Sequence, residues 1–148
     1  MTEDSATYIT KSKLKPYFKD SCFPGGLDPN KDKNFYTVYD ALFRRLDHEE
    51  EQEEEVGAKH FPYPVFGMHY SSAEEVFAFY EGWKFFATIK QFAYADVYNP
   101  AEAPNRRVKR LIEAENKKER QKERVKFNEV VRELVERLMD KDPRFKKF

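Results

Sequence analysis

An all-α fold is predicted by three features of the sequence. Apolar residues recur at helical spacing in three windows, prolines fall between those windows, and one 38-residue stretch, 105–142, contains neither proline nor glycine. The shared core would be aromatic. The 148 residues include 24 aromatic side chains (14 Phe, 9 Tyr and 1 Trp), too many for a disordered chain. Charged residues still make up 36%, and the mean hydropathy is -0.90. The length fits one domain, or a small domain with a long extension.

Residues 1–13 are polar and are expected to form a flexible N-terminus. Leu14, Tyr17, Phe18 and Phe23 follow as a turn-rich apolar cluster broken by Pro16 and by Pro24-Gly25-Gly26. Asn34 is the expected cap of a first helix, because its side chain can accept from the free amides of a first turn. Phe35, Val38, Tyr39, Leu42, Phe43 and Leu46 then fall at i, i+3, i+4, i+7, i+8 and i+11, a continuous stripe. The acidic run 47–55, DHEEEQEEE, should continue that helix as a solvated end, frayed because acids oppose the macrodipole there. Residues 61–67, FPYPVFG, read as an extended connector, since residues before proline avoid the α region.

Two overlapping capping boxes, Ser71 with Glu74 and Ser72 with Glu75, announce the second helix. Val76, Phe79, Tyr80, Trp83 and Phe86 form its stripe, and Gly82 is expected to admit a neighbouring backbone. Phe92, Tyr94, Val97 and Tyr98 carry aromatics onward to Asn99-Pro100. The compact helical part is therefore 14–98, with a linker at 99–104 and a long basic helix and C-terminal segment at 105–148.

Asn105 is the expected cap of that last helix, which would run to roughly 55 Å at 1.5 Å per residue. Val108, Leu111 and Ile112 should dock its start. Phe127, Val130, Val131, Leu134, Val135, Leu138 and Met139 line its far end and need an apolar partner. Between the two groups the helix is polar all round, which suits either a solvent bridge or a surface for a partner. Glu113/Lys117, Glu115/Lys118, Glu119/Lys122 and Glu123/Lys126 are spaced to support it at ~0.2–0.5 kcal/mol each.

The zero net charge averages two opposite parts. Residues 1–104 carry 11 Lys/Arg and 18 Asp/Glu, whereas 105–148 carry 16 and 9. Within 105–126 there are 10 basic and 4 acidic residues. Arg106, Lys109 and Arg110 share one face of the helix; Lys117, Arg120 and Arg124 form a second row, and Lys118 and Lys122 a third. Such rows can track the phosphates of structured RNA, which is recognised mostly through shape and backbone. The plainer reading is a solvated charged helix.

Catalytic chemistry is missing from the inventory. There is no Gly-rich phosphate loop and no GxSxG, and a single cysteine, Cys22, excludes a disulfide framework or a cysteine-built zinc site. His48, His60 and His69 have no metal-ligand partner at a suitable spacing. No enzyme, metal, cofactor or small-molecule substrate is expected. The opening MTEDSATYIT lacks an apolar core, and no run approaches the ~18 apolar residues of a membrane span. A soluble protein of a reducing compartment is the expectation.

Residues 35–148 resemble the zuotin homology domain of ribosome-associated DnaJ-type co-chaperones. The resemblance rests on FYTVYDALFRRL (35–46), YPVFG (63–67), FYEGWKFFATIKQFAY (79–94), APNRRVKRLIEAENKKERQKERVKFNEVVRELVERL (103–138) and DPRFKKF (142–148), in family order. LKPYFKDSCFPGG (14–26) is similar to the large-subunit-biogenesis branch of DnaJ subfamily C, and DPRFKKF to zuotin, so both branches stay open. The resemblance implies a mostly helical module that docks on the large ribosomal subunit near the exit tunnel, touching ribosomal RNA and a ribosomal protein. Its basic contacts would begin at Arg106 and Arg110, with Arg107, Lys109, Lys117, Lys118, Arg120, Lys122 and Arg124 behind them. Hsp70 would be engaged only through a J domain, which this chain lacks: its histidines precede Glu, Phe and Tyr, and there is no HPD motif. The chain is expected to be a docking module, excised from a longer protein or divergent. It would act in ribosome biogenesis or nascent-chain folding, in the cytoplasm and also in the nucleus or nucleolus. The rival expectation is a protein-interaction scaffold that uses Val131, Leu134 and Leu138, with the basic stretch as a spacer. The acidic run 47–55 is expected to hold the basic helix closed.

Overall fold

The computed structural model describes residues 8–53 and 61–148, and five α-helices with no strand among them. They are α1 (Lys11–Leu14), α2 (Phe35–Gln52), α3 (Ala73–Trp83), α4 (Arg106–Lys141) and α5 (Pro143–Lys147). Short 3-10 turns at Lys15–Phe18, Asp20–Cys22, Ala93–Ala95 and Pro100–Glu102 punctuate the connections. Residues 1–7, Glu54 and Glu55 of the acidic run, Gly57 and His60 lie outside the described residues.

Helix α2 starts where its cap requires. The side-chain oxygen of Asn34, Oδ1, accepts from the amides of Tyr36 (3.0 Å) and Thr37 (3.1 Å). Its stripe of Phe35, Tyr39, Leu42, Phe43 and Leu46 is buried. At α3 the capping box is Ser72 with Glu75, and Ser71 Oγ instead accepts from the Met68 amide. The two helices meet through aromatic edges. Phe43 lies T-shaped to Phe79 (4.8 Å) and to Trp83 (4.8 Å), and Phe66 to Phe79 (4.9 Å). Each such pair is worth ~0.5–1.5 kcal/mol beyond the area it buries. At Gly82 an added Cβ would meet Pro64 Cγ at 2.3 Å, so the glycine admits a proline ring rather than the expected backbone. The Pro64 carbonyl next to it accepts from Trp83 Nε1 at 2.7 Å.

Several expectations are corrected. Phe86 is not on α3, which ends at Trp83, but it is fully buried and stacked on Trp83 at 5.3 Å. Within the stretch expected to be flexible, residues 8–13 are held: Ile9 is buried, its amide donates to Glu49, and Lys11 pairs with Glu123 at 3.1 Å. The acidic run continues α2 to Gln52, as expected, and His48, Glu51 and Gln52 are exposed, but it is not solvated throughout. Glu49 and Glu50 are buried, and they face the segment after α3 rather than closing onto α4. Glu49 pairs with Lys90, which is fully buried with its ammonium 4.9 Å from the Phe127 ring centre. Glu50 accepts from Thr88 Oγ1 and the Ile89 amide, both at 2.8 Å.

Burial raises the Glu50 carboxyl above the usual carboxylate range, outweighing its two hydrogen bonds. The folded chain therefore binds this proton more tightly than the unfolded chain does. The associated stability is present below the ordinary carboxylate pKa and is lost as pH rises to the raised folded value. Glu50→Gln should remove this slope, so the variant gains relative to the parent on going from acid to neutral pH. Urea midpoints across a pH series would show it; parallel curves would contradict it.

The far end of α4 finds its partner within the chain. Phe127, Val131, Leu134, Val135 and Leu138 join the single core with α2 and α3. Val131, Leu134 and Leu138, expected as an interaction face, are covered, with exposures of 0%, 0% and 1%. A buried polar knot closes the C-terminus. Asp142 accepts from Tyr80 Oη (2.7 Å) and from Arg144 Nη2 (2.8 Å), and Arg144 Nη1 donates to the carbonyls of Phe66 (2.8 Å) and Met68 (3.1 Å).

Candidate nucleic-acid interface

Asn105 caps α4 through the Val108 amide at 2.9 Å, and the helix runs unbroken for 36 residues. At 1.5 Å per residue that is about 54 Å. The expected linker 99–104 is a short ordered turn: Asn99 Oδ1 accepts from the Ala101 amide at 3.0 Å. Of the residues expected to dock the helix start, Val108 and Ile112 are half-buried, whereas Leu111 is exposed.

The middle of α4 is not polar for solvent alone. Five of its side chains, Asn116, Arg120, Arg124, Asn128 and Arg132, stand four residues apart and hold the irregular segment that follows α3. Arg132 Nε donates to the Phe86 carbonyl (2.8 Å), and Asn128 Oδ1 accepts from the Thr88 amide (2.7 Å). Arg124 Nε donates to the Lys90 carbonyl (3.0 Å), and Arg120 makes two 2.6 Å bonds to Asp96. Asn116, itself buried, accepts from the amides of Val97 (2.9 Å) and Tyr98 (3.2 Å) and donates to the Tyr98 carbonyl (2.8 Å). The segment thus lies antiparallel to α4, its backbone groups satisfied by side chains instead of by a helix or sheet ladder. Arg120 and Asp96 stabilise each other's charge, raising the guanidinium pKa and lowering the carboxyl.

Asn116→Ala removes three backbone contacts at one point of this clasp. It should destabilise the domain by ~1–3 kcal/mol. Faster amide exchange at Val97 and Tyr98 than at Thr88 would localise the loss, and uniform exchange would contradict a local clasp.

The nine basic residues expected to face RNA therefore divide. Arg120 and Arg124 are engaged in the clasp, and Lys122 pairs with Glu119 at 3.1 Å. That pair is the one of the four expected helix pairs that closes among the described residues, and Glu123 turns to Lys11 instead. Arg106, Arg107, Lys109, Arg110, Lys117 and Lys118 are all exposed and have no acceptor among the described residues. At 100° per residue, the six fall within about half of the helix circumference over about 18 Å of its length. Only two acids, Glu113 and Glu115, accompany them in 105–118. Pro100–Glu102 packs beside this stretch on one side and leaves the cations facing outward.

No group of three or more His, Cys, Asp or Glu side chains suited to a metal ion occurs among the described residues. Cys22 Sγ lies 3.3 Å from Tyr39 Oη, and burial pushes its thiol up. His48 is exposed, and the His69 ring sits against Tyr36 (6.0 Å) and Tyr70 (5.1 Å).

The family described as zuotin-like, zuotin homology domain, matches residues 34–146. Human DnaJ homolog subfamily C member 21 is 40% identical over 135 residues, covering 88% of this chain and 24% of that protein. Zuotin of Saccharomyces cerevisiae is 35% identical over 144 residues, covering 95% of this chain and 31% of its own. DnaJ homolog subfamily C member 2 of Danio rerio is 32% identical over 116 residues, 78% of this chain and 18% of that protein. The chain thus spans between 18% and 31% of the length of these relatives. No solved structure matches it.

Proposed function

The chain belongs to the zuotin-like family, as its zuotin homology domain, and from that premise we propose that it docks a J-protein co-chaperone on the large ribosomal subunit through ribosomal RNA. The observation that carries this reading is the set of six exposed cations on the first half of α4 that have no acceptor among the described residues. Unpaired cations held on a rigid helix release condensed counterions when they meet a phosphate backbone, and they lose no internal ion pair in doing so. The clasp along α4 supports the same reading, since it holds the helix to the body and fixes the direction in which the cations point.

The site of docking would be near the polypeptide exit tunnel, where ribosomal RNA and a ribosomal protein meet. The module performs no covalent chemistry; it positions a chaperone for ribosome biogenesis or nascent-chain folding, in the cytoplasm, nucleus or nucleolus. Contact with Hsp70 would belong to a J domain elsewhere in a longer protein. A scaffold acting through Val131, Leu134 and Leu138 would need a face that the chain's own body covers.

Sedimentation with purified large subunits tests the proposal. Arg106→Glu/Arg110→Glu shifts the net charge by about four units at two exposed positions that have no ion-pair partner among the described residues. Binding should fall at least about a hundredfold while the unfolding free energy stays within ~0.5 kcal/mol of the parent. Undiminished binding by that variant would reject the interface.

A further inference from the structure

Where the clasped segment crosses α4, Gln91, Pro100 and Asp96 on one side and Lys117, Arg120 and Arg124 on the other enclose a cleft of about 350 Å³. Both arginines in it are only half used. Arg120 commits Nε and Nη2 to the two oxygens of Asp96. Arg124 commits Nε to the Lys90 carbonyl and Nη1 to Gln121 Oε1 at 2.8 Å. Nη1 of Arg120, Nη2 of Arg124 and the Lys117 ammonium have no acceptor among the described residues. A guanidinium pinned along one edge keeps its other edge in place, so receiving an anion there loses little further side-chain freedom.

We propose that this cleft is a phosphate subsite: the free edges of Arg120 and Arg124, with Lys117 beside them, receive the non-bridging oxygens of an RNA phosphodiester. The proposal rests on the RNA reading of α4 and extends it from the exposed cations into a preorganised recess. Two carboxylates also line the cleft. Asp96 is neutralised by its bidentate pair with Arg120. Glu113 stands seven residues before Arg120, about 10 Å along the helix. Lys117 stands only four residues from Glu113, about 6 Å along the helix, so repulsion from Glu113 falls most on the Lys117 side and favours an anion at the arginine end. Inorganic phosphate presents the same oxygens as the diester, but without the contacts that RNA makes at 106–118. RNA should therefore occupy the cleft at a concentration at least about tenfold lower.

The clasp supplies the reporter. The Nε–H groups of Arg120 and Arg124 are hydrogen-bonded to Asp96 and to the Lys90 carbonyl, which slows their exchange and makes them visible by NMR. The full chain would be titrated at constant ionic strength with a stem-loop RNA and, separately, with inorganic phosphate. Both probes should move the two Nε–H signals, RNA at the lower concentration. Lys117→Gln, outside the clasp, should weaken the RNA-induced shift about threefold to tenfold without disturbing the signals of the free chain. If RNA moves the amides of 106–118 but leaves both Nε–H signals in place, the subsite is wrong and the RNA interface stands. If RNA moves neither, both are wrong. Movement with phosphate but not with RNA overturns the assignment to a diester.

Discussion

Asp142→Ala should be among the most damaging single substitutions in the domain, destabilising it by ~3–5 kcal/mol. Asp142 is fully buried, and Arg144 is 4% exposed. The carboxylate caps α5 through the Arg144 amide (2.9 Å), accepts the Tyr80 hydroxyl and neutralises the guanidinium. Without it the charge of Arg144 stays buried against the Phe66 ring, 4.2 Å from its centre, with only two carbonyls as acceptors. For a chain of this size the loss corresponds to a fall in Tm of roughly 10–15 °C. Asp142→Asn keeps one oxygen, which can cap α5 through the Arg144 amide but leaves a donor where the second oxygen accepts the Tyr80 hydroxyl, so it should be milder than alanine without restoring the knot. Combining it with Arg144→Gln should lose less than the two single variants added together, because the pair acts as a unit. Strict additivity in thermal or urea unfolding would mean that the knot is not coupled.

The second large effect distinguishes core from interface. Val131→Asp places a carboxylate in the shared core of α2, α3 and α4, where Val131 is fully covered. An unpaired buried charge, added to the lost valine packing, removes several kcal/mol from a total of ~5–15 kcal/mol. The variant should lose cooperative unfolding and near-UV aromatic dichroism at 25 °C, and Leu134→Asp should do the same. A variant that stayed folded and lost only the binding of a protein partner would restore the scaffold reading of this face.

What could be read in the sequence was local. The caps Asn34, Ser72 and Asn105 are legible because each needs only an amide two or three residues on, and all three occur as helix caps. The stripes of α2 and α4 are legible because a 3.6-residue period survives any tertiary context. The stripe on α4 gave its buried face but not what covers it, so an intramolecular core could also be taken for an interface. Charged residues were misread wherever their partner is distant in the chain. Glu49 and Lys90 are 41 positions apart, and inside DHEEEQEEE nothing marks two of the acids as buried.

The candidate site shows the same division. Arg106 and Arg110 stay exposed as expected, whereas Arg120 and Arg124 are drawn into the clasp. The signal for that clasp was present as Asn116, Arg120, Arg124, Asn128 and Arg132 at a strict spacing of four, all able to reach backbone groups. Its other half, residues 86–98, has no period of its own, so the match could not be seen from one side. Asp142 and Arg144 are legible only as part of the DPRFKKF ending that carries the resemblance, and nothing in that string marks the two as buried.

Binding of RNA phosphates by the exposed cations of α4 is measured most directly by the salt dependence of large-subunit binding. The affinity of the parent chain and of a variant with Arg106, Arg107, Lys109 and Arg110 changed to Gln would be followed across a salt series. Each phosphate contact contributes a log-log slope of about 0.7–0.9, so the variant's slope should be shallower by roughly three units. Equal slopes in parent and variant would contradict the account, whatever the absolute affinities.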